Sequence, residues 1–291
     1  MPLESLIGRG LLGEDQFVAA SQGRRLRAMV AGSGDDLVVL EAGLGVSGLY
    51  WGPVHATLAK HVRVVAYERA GFGGSDSAPG ESRDLAYLAA DLASVVNAFP
   101  HKRLVLVGHS WGGPIIRTFA AIRAGSDSTL VGLVLVDQSD EHAADLYTSR
   151  LARWSDAMQN ALFVPLARAR LLAPLMKTQL AGLPAEILRA ALAASSTVDA
   201  ARATSQENTH VAEDLLRLRS DPPVLRSAQL RVISGQQHSR IDRKIRARLV
   251  DAHQQTAREH SGAQFVAAER SGHMVPVTEP ELIAKHALAL L

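Results

Sequence analysis

Ser110 stands in Gly108-His109-Ser110-Trp111-Gly112, between the apolar run Leu104-Val105-Leu106-Val107 and a helix-like stretch over 114–120. A buried strand that ends in Gly-x-Ser-x-Gly and turns at once into a helix is the sequence form of a nucleophile elbow. Its glycines leave room for a sharp turn that pushes the serine oxygen outward. The pentapeptide alone is equally a glycine-rich turn, so its flanks give it chemical meaning. A serine hydroxyl is a weak nucleophile at neutral pH and needs a base, an acid to orient that base, and donors for the oxyanion. The candidate base is His273 in Ser271-Gly272-His273-Met274, after the last apolar run and before a terminal helix starting near Thr278-Glu279-Pro280. Serine followed by a histidine near the end is the chain order such a triad requires. The plain alternative for one of eleven histidines in a glycine-flanked loop is a solvated residue.

Two residues compete for the acid. Asp137 closes Val131-Gly132-Leu133-Val134-Leu135-Val136, at the C-terminal end of a predicted strand, the edge where open α/β sheets place their sites. Asp242, in the loop that follows 230–234, is the other source. Unless it is the triad acid, Asp137 could simply cap a turn. For the oxyanion, backbone N–H groups of Leu44, in Glu41-Ala42-Gly43-Leu44-Gly45, and of Trp111 can point at one oxygen. The same loop reads Gly43-Leu44-Gly45-Val46-Ser47-Gly48, a Gly-x-Gly-x-x-Gly with Glu68 twenty residues beyond, as in a dinucleotide-binding turn. That reading is disfavoured because Tyr50-Trp51-Gly52-Pro53 crowds the helix start, and because it leaves Ser110 and His273 unexplained.

The elements that must position these residues are visible as a pattern. Segments 16–20 and 24–31 flank Ser21-Gln22-Gly23 as an opening hairpin. Short apolar, β-branched runs recur at 37–41, 62–67, 104–107, 131–136, 230–234 and 264–268, with helical periodicity between them (Leu85, Leu88, Leu92, Val95 and Val96 in one case). Strands alternating with helices imply a parallel sheet covered on both faces. The alternation breaks over 141–226, where Ala, Leu and Arg dominate and Pro165, Pro174, Pro184, Pro222 and Pro223 are expected to cut the chain into short helices. An inserted helical lid over 141–226, on a core of 1–140 and 227–291, is the expected organisation. Trp154, Met158, Leu162, Phe163 and Met176 in the lid are candidates for roofing an apolar cavity, with ordinary helix packing as their alternative.

Composition limits the partners. With 291 residues, 47% hydrophobic and 21% charged, the chain can bury one large core. A net charge of +2 with interspersed acids and bases gives no footprint for nucleic acid. The absence of cysteine removes disulfides and thiolate metal sites. The first nine residues lack a basic segment followed by an apolar core, and no stretch approaches the roughly 20 apolar residues of a membrane span. A cytoplasmic protein without metal or cofactor is expected; its oligomeric state is not legible.

At this point the chain resembles the α/β-hydrolase family along nearly its whole length, in Leu40 to Gly45, in Tyr67-Glu68-Arg69-Ala70-Gly71-Phe72-Gly73-Gly74-Ser75-Asp76, in the Ser110 elbow, in Leu133 to Asp137 and in Ser271-Gly272-His273. The resemblance implies an eight-stranded, mostly parallel sheet, a helical cap, and a Ser-acid-His triad that needs no cofactor. Three departures stand out. Ala42-Gly43 replaces the His-Gly with which many relatives begin the oxyanion loop, and Glu68 replaces an aspartate. Gly235-Gln236-Gln237-His238 stands where many members keep their acid, which favours Asp137. A serine at the elbow, where dehalogenases and epoxide hydrolases carry a carboxylate, points to hydrolysis of a carboxylic ester or lactone of a small to medium apolar substrate. Carbon–carbon bond hydrolysis and perhydrolysis on the same triad are alternatives. A non-catalytic ligand-binding member and a dinucleotide-dependent oxidoreductase are the rivals from other classes.

Overall fold

The computed structural model describes residues 10–124, 128–225 and 228–291. The expectation about a leader falls on residues 1–9, and the predicted end of the lid on 226–227, both outside the described residues. Eight strands form one sheet: β1 (Glu14–Ala19), β2 (Arg25–Ala31), β3 (Asp36–Glu41), β4 (Arg63–Tyr67), β5 (Arg103–His109), β6 (Leu130–Val136), β7 (Gln229–Gly235) and β8 (Gln264–Ala268). Their order is β1-β2-β4-β3-β5-β6-β7-β8. The opening hairpin is antiparallel and β2 runs antiparallel to β4, while every other neighbouring pair is parallel.

Alternation along the strands builds the core on both faces. Leu37, Val39, Leu104, Leu106, Leu133 and Leu135 point to one side. There they pack with Leu88, Leu92 and Val95 of α2 (Leu85–Ala98) and Ile115 and Phe119 of α3 (Gly112–Arg123). Val38, Leu40, Val105, Val107, Val134 and Val136 point to the other. They meet Val54 and Leu58 of α1 (Gly52–Leu58) and the C-terminal helix. Near-continuous burial of β3, β5 and β6 follows from helices on both faces. The helix ends are chemically marked: Asp84 caps α2 by accepting the Tyr87 N–H at 2.9 Å.

Between β6 and β7 lie α4 (Asp145–Thr148), α5 (Arg150–Arg168), α6 (Leu172–Met176), α7 (Ala185–Ser195) and α8 (Val198–Ser220). The prolines act less uniformly than expected. Pro184 precedes α7 and the Pro222-Pro223 pair follows α8, but Pro165 sits inside the last turn of α5 without ending it. Its missing N–H removes one ladder bond, and only three helical residues follow it. The chain finishes with α9 (Arg243–Glu259), α10 (Val275–Thr278) and α11 (Pro280–Leu288). No helix among the described residues is long and apolar enough to cross a membrane.

Candidate active site

The C-terminal ends of β3, β5, β6, β7 and β8 deliver the predicted residues to one edge of the sheet, as parallel topology dictates. Ser110 follows β5 with φ of 53°, a left-handed conformation that costs a non-glycine residue energy and holds it at the apex of the turn. The turn closes because its neighbours are small. A Cβ at Gly108 would strike the Gly112 backbone, and one at Gly112 would lie 2.5 Å from the Glu41 carbonyl oxygen. The Ser110 N–H donates to Val136 O at 3.0 Å, and its own carbonyl accepts from Gly113 and Ser139.

Asp137 follows β6 with φ of 40°, buried, and divides its two oxygens. Oδ2 accepts from His273 Nδ1 at 2.7 Å, while Oδ1 accepts from Gly235 N at 2.9 Å and from Arg246 Nη1 at 2.5 Å. Burial works to raise the Asp137 pKa, but the His273 hydrogen bond and charge, helped by His253 and Arg246, hold it well below the usual carboxylate range. An ionised carboxylate only accepts, so His273 Nδ1 carries the hydrogen, which leaves Nε2 as the ring nitrogen that can take up or give a proton. The His273 side chain is 48% exposed. No hydrogen bond joins Ser110 Oγ to His273 Nε2 among the described residues; such contacts commonly tighten only when substrate binds. Asp242 lies elsewhere. It is exposed at the start of α9, where its Oδ1 accepts from Ser239 N and Oγ, both at 2.6 Å, so the preceding turn satisfies it locally.

A second layer, not foreseen from the sequence, fixes the His273 loop. His109 Nε2 donates to the His273 carbonyl at 2.8 Å, and the two rings lie 4.7 Å apart. On its other side, His109 Nδ1 meets the Tyr50 hydroxyl at 3.0 Å, and that hydroxyl accepts from Gly43 N at 3.3 Å. Burial, reinforced by the nearby charge of His273, pushes His109 down to about 3, so its ring is neutral. The Gly43 N–H occupies the hydroxyl as acceptor, the hydroxyl donates to Nδ1, and Nε2 keeps the hydrogen it gives to His273 O. Ser271 Oγ donates to Glu279 Oε2 at 2.6 Å, which anchors the same loop from below.

Gly43 packs directly on the nucleophile turn: a Cβ there would lie 3.2 Å from Ser110 Cβ. Neither the Leu44 nor the Trp111 amide donates to a protein acceptor among the described residues. From Leu44 and Gly45 a cavity of about 370 Å³ extends under the β6–β7 insertion, walled by Leu162, Phe163, Leu172 and Met176, with Gln159 and Thr204 as polar points. Of the predicted roof, Leu162, Phe163 and Met176 line it. Trp154 and Met158 do not: they are 61% and 42% exposed. On α5 the wall of the cavity is the Gln159-Leu162-Phe163-Leu166 side; at about 100° per residue Trp154 lies well round the helix from it and Met158 beyond its margin.

One other sequence reading resolves here. Glu68 is buried and taken up by Ser47 Oγ at 2.5 Å, Gly74 N at 2.7 Å and Arg27, so it braces the glycine loop and does not face a groove where a ribose could lie. Asp140, Glu141 and His142 form a compact group of possible metal donors. Arg117 grips Glu141 with both nitrogens, and Thr256 and Gln138 donate to Asp140.

A model of the alpha/beta hydrolase family matches residues 37–286. The chain belongs to that family. An AB hydrolase superfamily protein of Gibberella zeae is 25% identical over 277 residues, 85% of this chain and 83% of that one. A candidate carbamate hydrolase, RutD, of Pantoea ananatis is 41% identical over 78 residues, 27% of this chain and 28% of the relative. Matches to RutD proteins span 28–44% of their lengths. Among solved structures, an esterase from Exiguobacterium antarcticum superposes with a TM-score of 0.70 at 20% identity, covering 94% of this alpha/beta hydrolase and 98% of the esterase. The Cif epoxide hydrolase from Acinetobacter nosocomialis gives 0.75 at 17% identity, over 96% and 88%. Likeness at that identity speaks to the fold.

Proposed function

We propose that this alpha/beta hydrolase is a serine hydrolase acting on a carboxylic ester or lactone of a small to medium apolar substrate, with Ser110 as nucleophile, His273 as general base and Asp137 as its orienting acid. The observation that carries the reading is the 2.7 Å Asp137–His273 pair set beside a strained serine on a nucleophile turn. A neutral imidazole whose Nδ1–H is held by a carboxylate presents Nε2 as a base. Ser110 Oγ adds to the substrate carbonyl as its proton passes to His273. The Leu44 and Trp111 amides receive the charge that develops on the carbonyl oxygen. The alcohol leaves with the proton from His273, and water, deprotonated by the same imidazole, then releases the acid from Ser110.

The β6–β7 insertion acts as the cap, with 141–226 as its extent and 1–140 and 227–291 as the core. Its mainly aliphatic cavity, of a size typical for small-molecule sites, suits an apolar acyl or alcohol group. The local similarity to RutD makes carbamates worth including among test substrates, since they share the carbonyl and leaving-group geometry of esters. The deciding experiment combines turnover of p-nitrophenyl butyrate, a lactone and a carbamate with intact mass after an organophosphate. One adduct on Ser110, and loss of turnover by about 10⁴-fold or more in Ser110→Ala, are expected. Turnover that survives Ser110→Ala would refute the reading.

A further inference from the structure

The oxyanion loop is gripped from beneath by a single side chain. Arg69, in the turn after β4, reaches under this loop and is buried. A guanidinium has five N–H groups, and five contacts use them. Nη1 donates to Ala42 O at 2.7 Å and Glu41 Oε1 at 2.8 Å. Nη2 donates to Gly43 O at 2.7 Å and Glu207 Oε2 at 2.8 Å, and Nε donates to Glu207 Oε1 at 3.1 Å. Glu207 belongs to α8 and is also paired with Arg83 at 2.5 Å.

The decisive geometry is that of a peptide plane. Gly43 C=O and Leu44 N–H belong to one planar unit, and no cis peptide bond occurs among the described residues. In a trans peptide these two groups point in opposite directions. Drawing the Gly43 oxygen onto Arg69 therefore turns the Leu44 hydrogen away from Arg69. The preceding plane is fixed as well, by Arg69 on Ala42 O and by Tyr50 receiving the Gly43 N–H at 3.3 Å. Gly43 itself lies against Ser110, so the hydrogen so directed belongs to the residue beside the nucleophile.

We propose that Arg69 is a positioning residue that sets the direction of the Leu44 amide, and that Glu207 braces it from the insertion. The catalytic consequence rests on the serine-hydrolase reading, whereas the orientation of the amide does not. Through Glu207 the oxyanion donor is aimed only while α8 is seated, which links the insertion to the chemistry as well as to substrate shape. A lysine at 69 would keep the charge but lack the fork that spans two carbonyls and two carboxylates.

The test uses the full-length chain with Arg69→Lys, Glu207→Gln and Ser110→Ala. It measures kcat and KM for p-nitrophenyl butyrate and, by NMR, the Leu44 amide resonance and its hydrogen exchange. Folded Arg69→Lys should lose 10²- to 10³-fold in kcat, about the effect of removing one oxyanion donor, with KM changed less than threefold. Glu207→Gln should lose on the order of tenfold, as expected for an outer-layer support. In both, the Leu44 amide should shift and exchange faster. Wild-type kcat in Arg69→Lys, or a Leu44 amide unmoved by either substitution, overturns the proposal. Should Arg69→Lys fail to fold, Glu207→Gln decides by the same two readouts. Retained turnover in Ser110→Ala would instead refute the serine-hydrolase reading, and the Leu44 measurement would still decide the orientation claim.

Discussion

The carboxylate of Asp137 shares its charge between a histidine on one oxygen and an arginine on the other, so its role can be separated from that of any other acid nearby. Asp137→Asn keeps the shape but removes the acceptor that fixes the imidazole tautomer, and it should lower ester turnover about 10⁴-fold. Asp242→Asn, which disturbs only an exposed turn with Ser239, should leave turnover within twofold. Reversed outcomes in a kcat comparison would move the role to Asp242. Ser110 and His273 stood out because each follows an apolar run at a glycine-marked turn, and Asp137 because it closes an apolar run. Arg69, Tyr50, His109 and Arg246 were not. Most of their partners lie 26 to 164 residues away, and nothing local in the chain distinguishes a clamping arginine from a solvated one. For His109 a signal did exist, since it sits beside the nucleophile, but its meaning depends on a tyrosine that only folding brings near.

Six of the eight strands could be read from short apolar runs, most clearly the central β3, β5 and β6, where burial on both faces leaves little room for polar residues; β1 and β2 were read instead from the turn between them. Helices of the insertion were harder. Pro165 looked like a break and is not one. The apolar residues of α5 form two faces, one over the cavity and one outward, which periodicity alone cannot rank. The structure predicts a clear division between them. Phe163→Ala, on the inner face, should raise the ratio of kcat/KM for octanoate over butyrate esters by about tenfold, within the range a hydrophobic pocket discriminates per methylene. Trp154→Ala, on the outer face, should leave that ratio within twofold. Equal effects from both would show that the acyl group does not occupy this cavity.

At the scale of the molecule, the hydrophobic core is interrupted by a buried group of two guanidinium and two carboxyl groups, Arg69, Arg83, Glu41 and Glu207, that ties the sheet edge to α8. Tyr67 also donates to Glu41. Burial pushes Glu41 up to about 7, against the pull of Arg69 and Tyr67. In the unfolded chain a glutamate titrates near ~4.3, so between that pH and about 7 the folded chain holds the extra proton. The resulting stability is fully present below the unfolded value and is lost as pH rises through the folded one. Glu41→Gln removes this dependence. The stability of the wild type relative to Glu41→Gln should therefore fall between pH 5 and pH 8, by on the order of 2 kcal/mol in urea titrations. A constant difference across that interval would contradict the assignment. The way α8 is threaded has one more consequence. Because β6 and β7 are parallel neighbours, the chain must travel back along the sheet before β7 begins, and α8, about 34 Å long at 1.5 Å per residue, crosses the loops at the sheet edge, where Glu207 meets Arg69, and ends with Leu215 and Leu218 sunk among core side chains. It is at once a wall of the chamber and a rib of the frame. A builder of chimeras could exchange the segment from Ser149 to Thr197 for that of a relative and change what enters, but a cut placed within α8 would unseat the sheet itself.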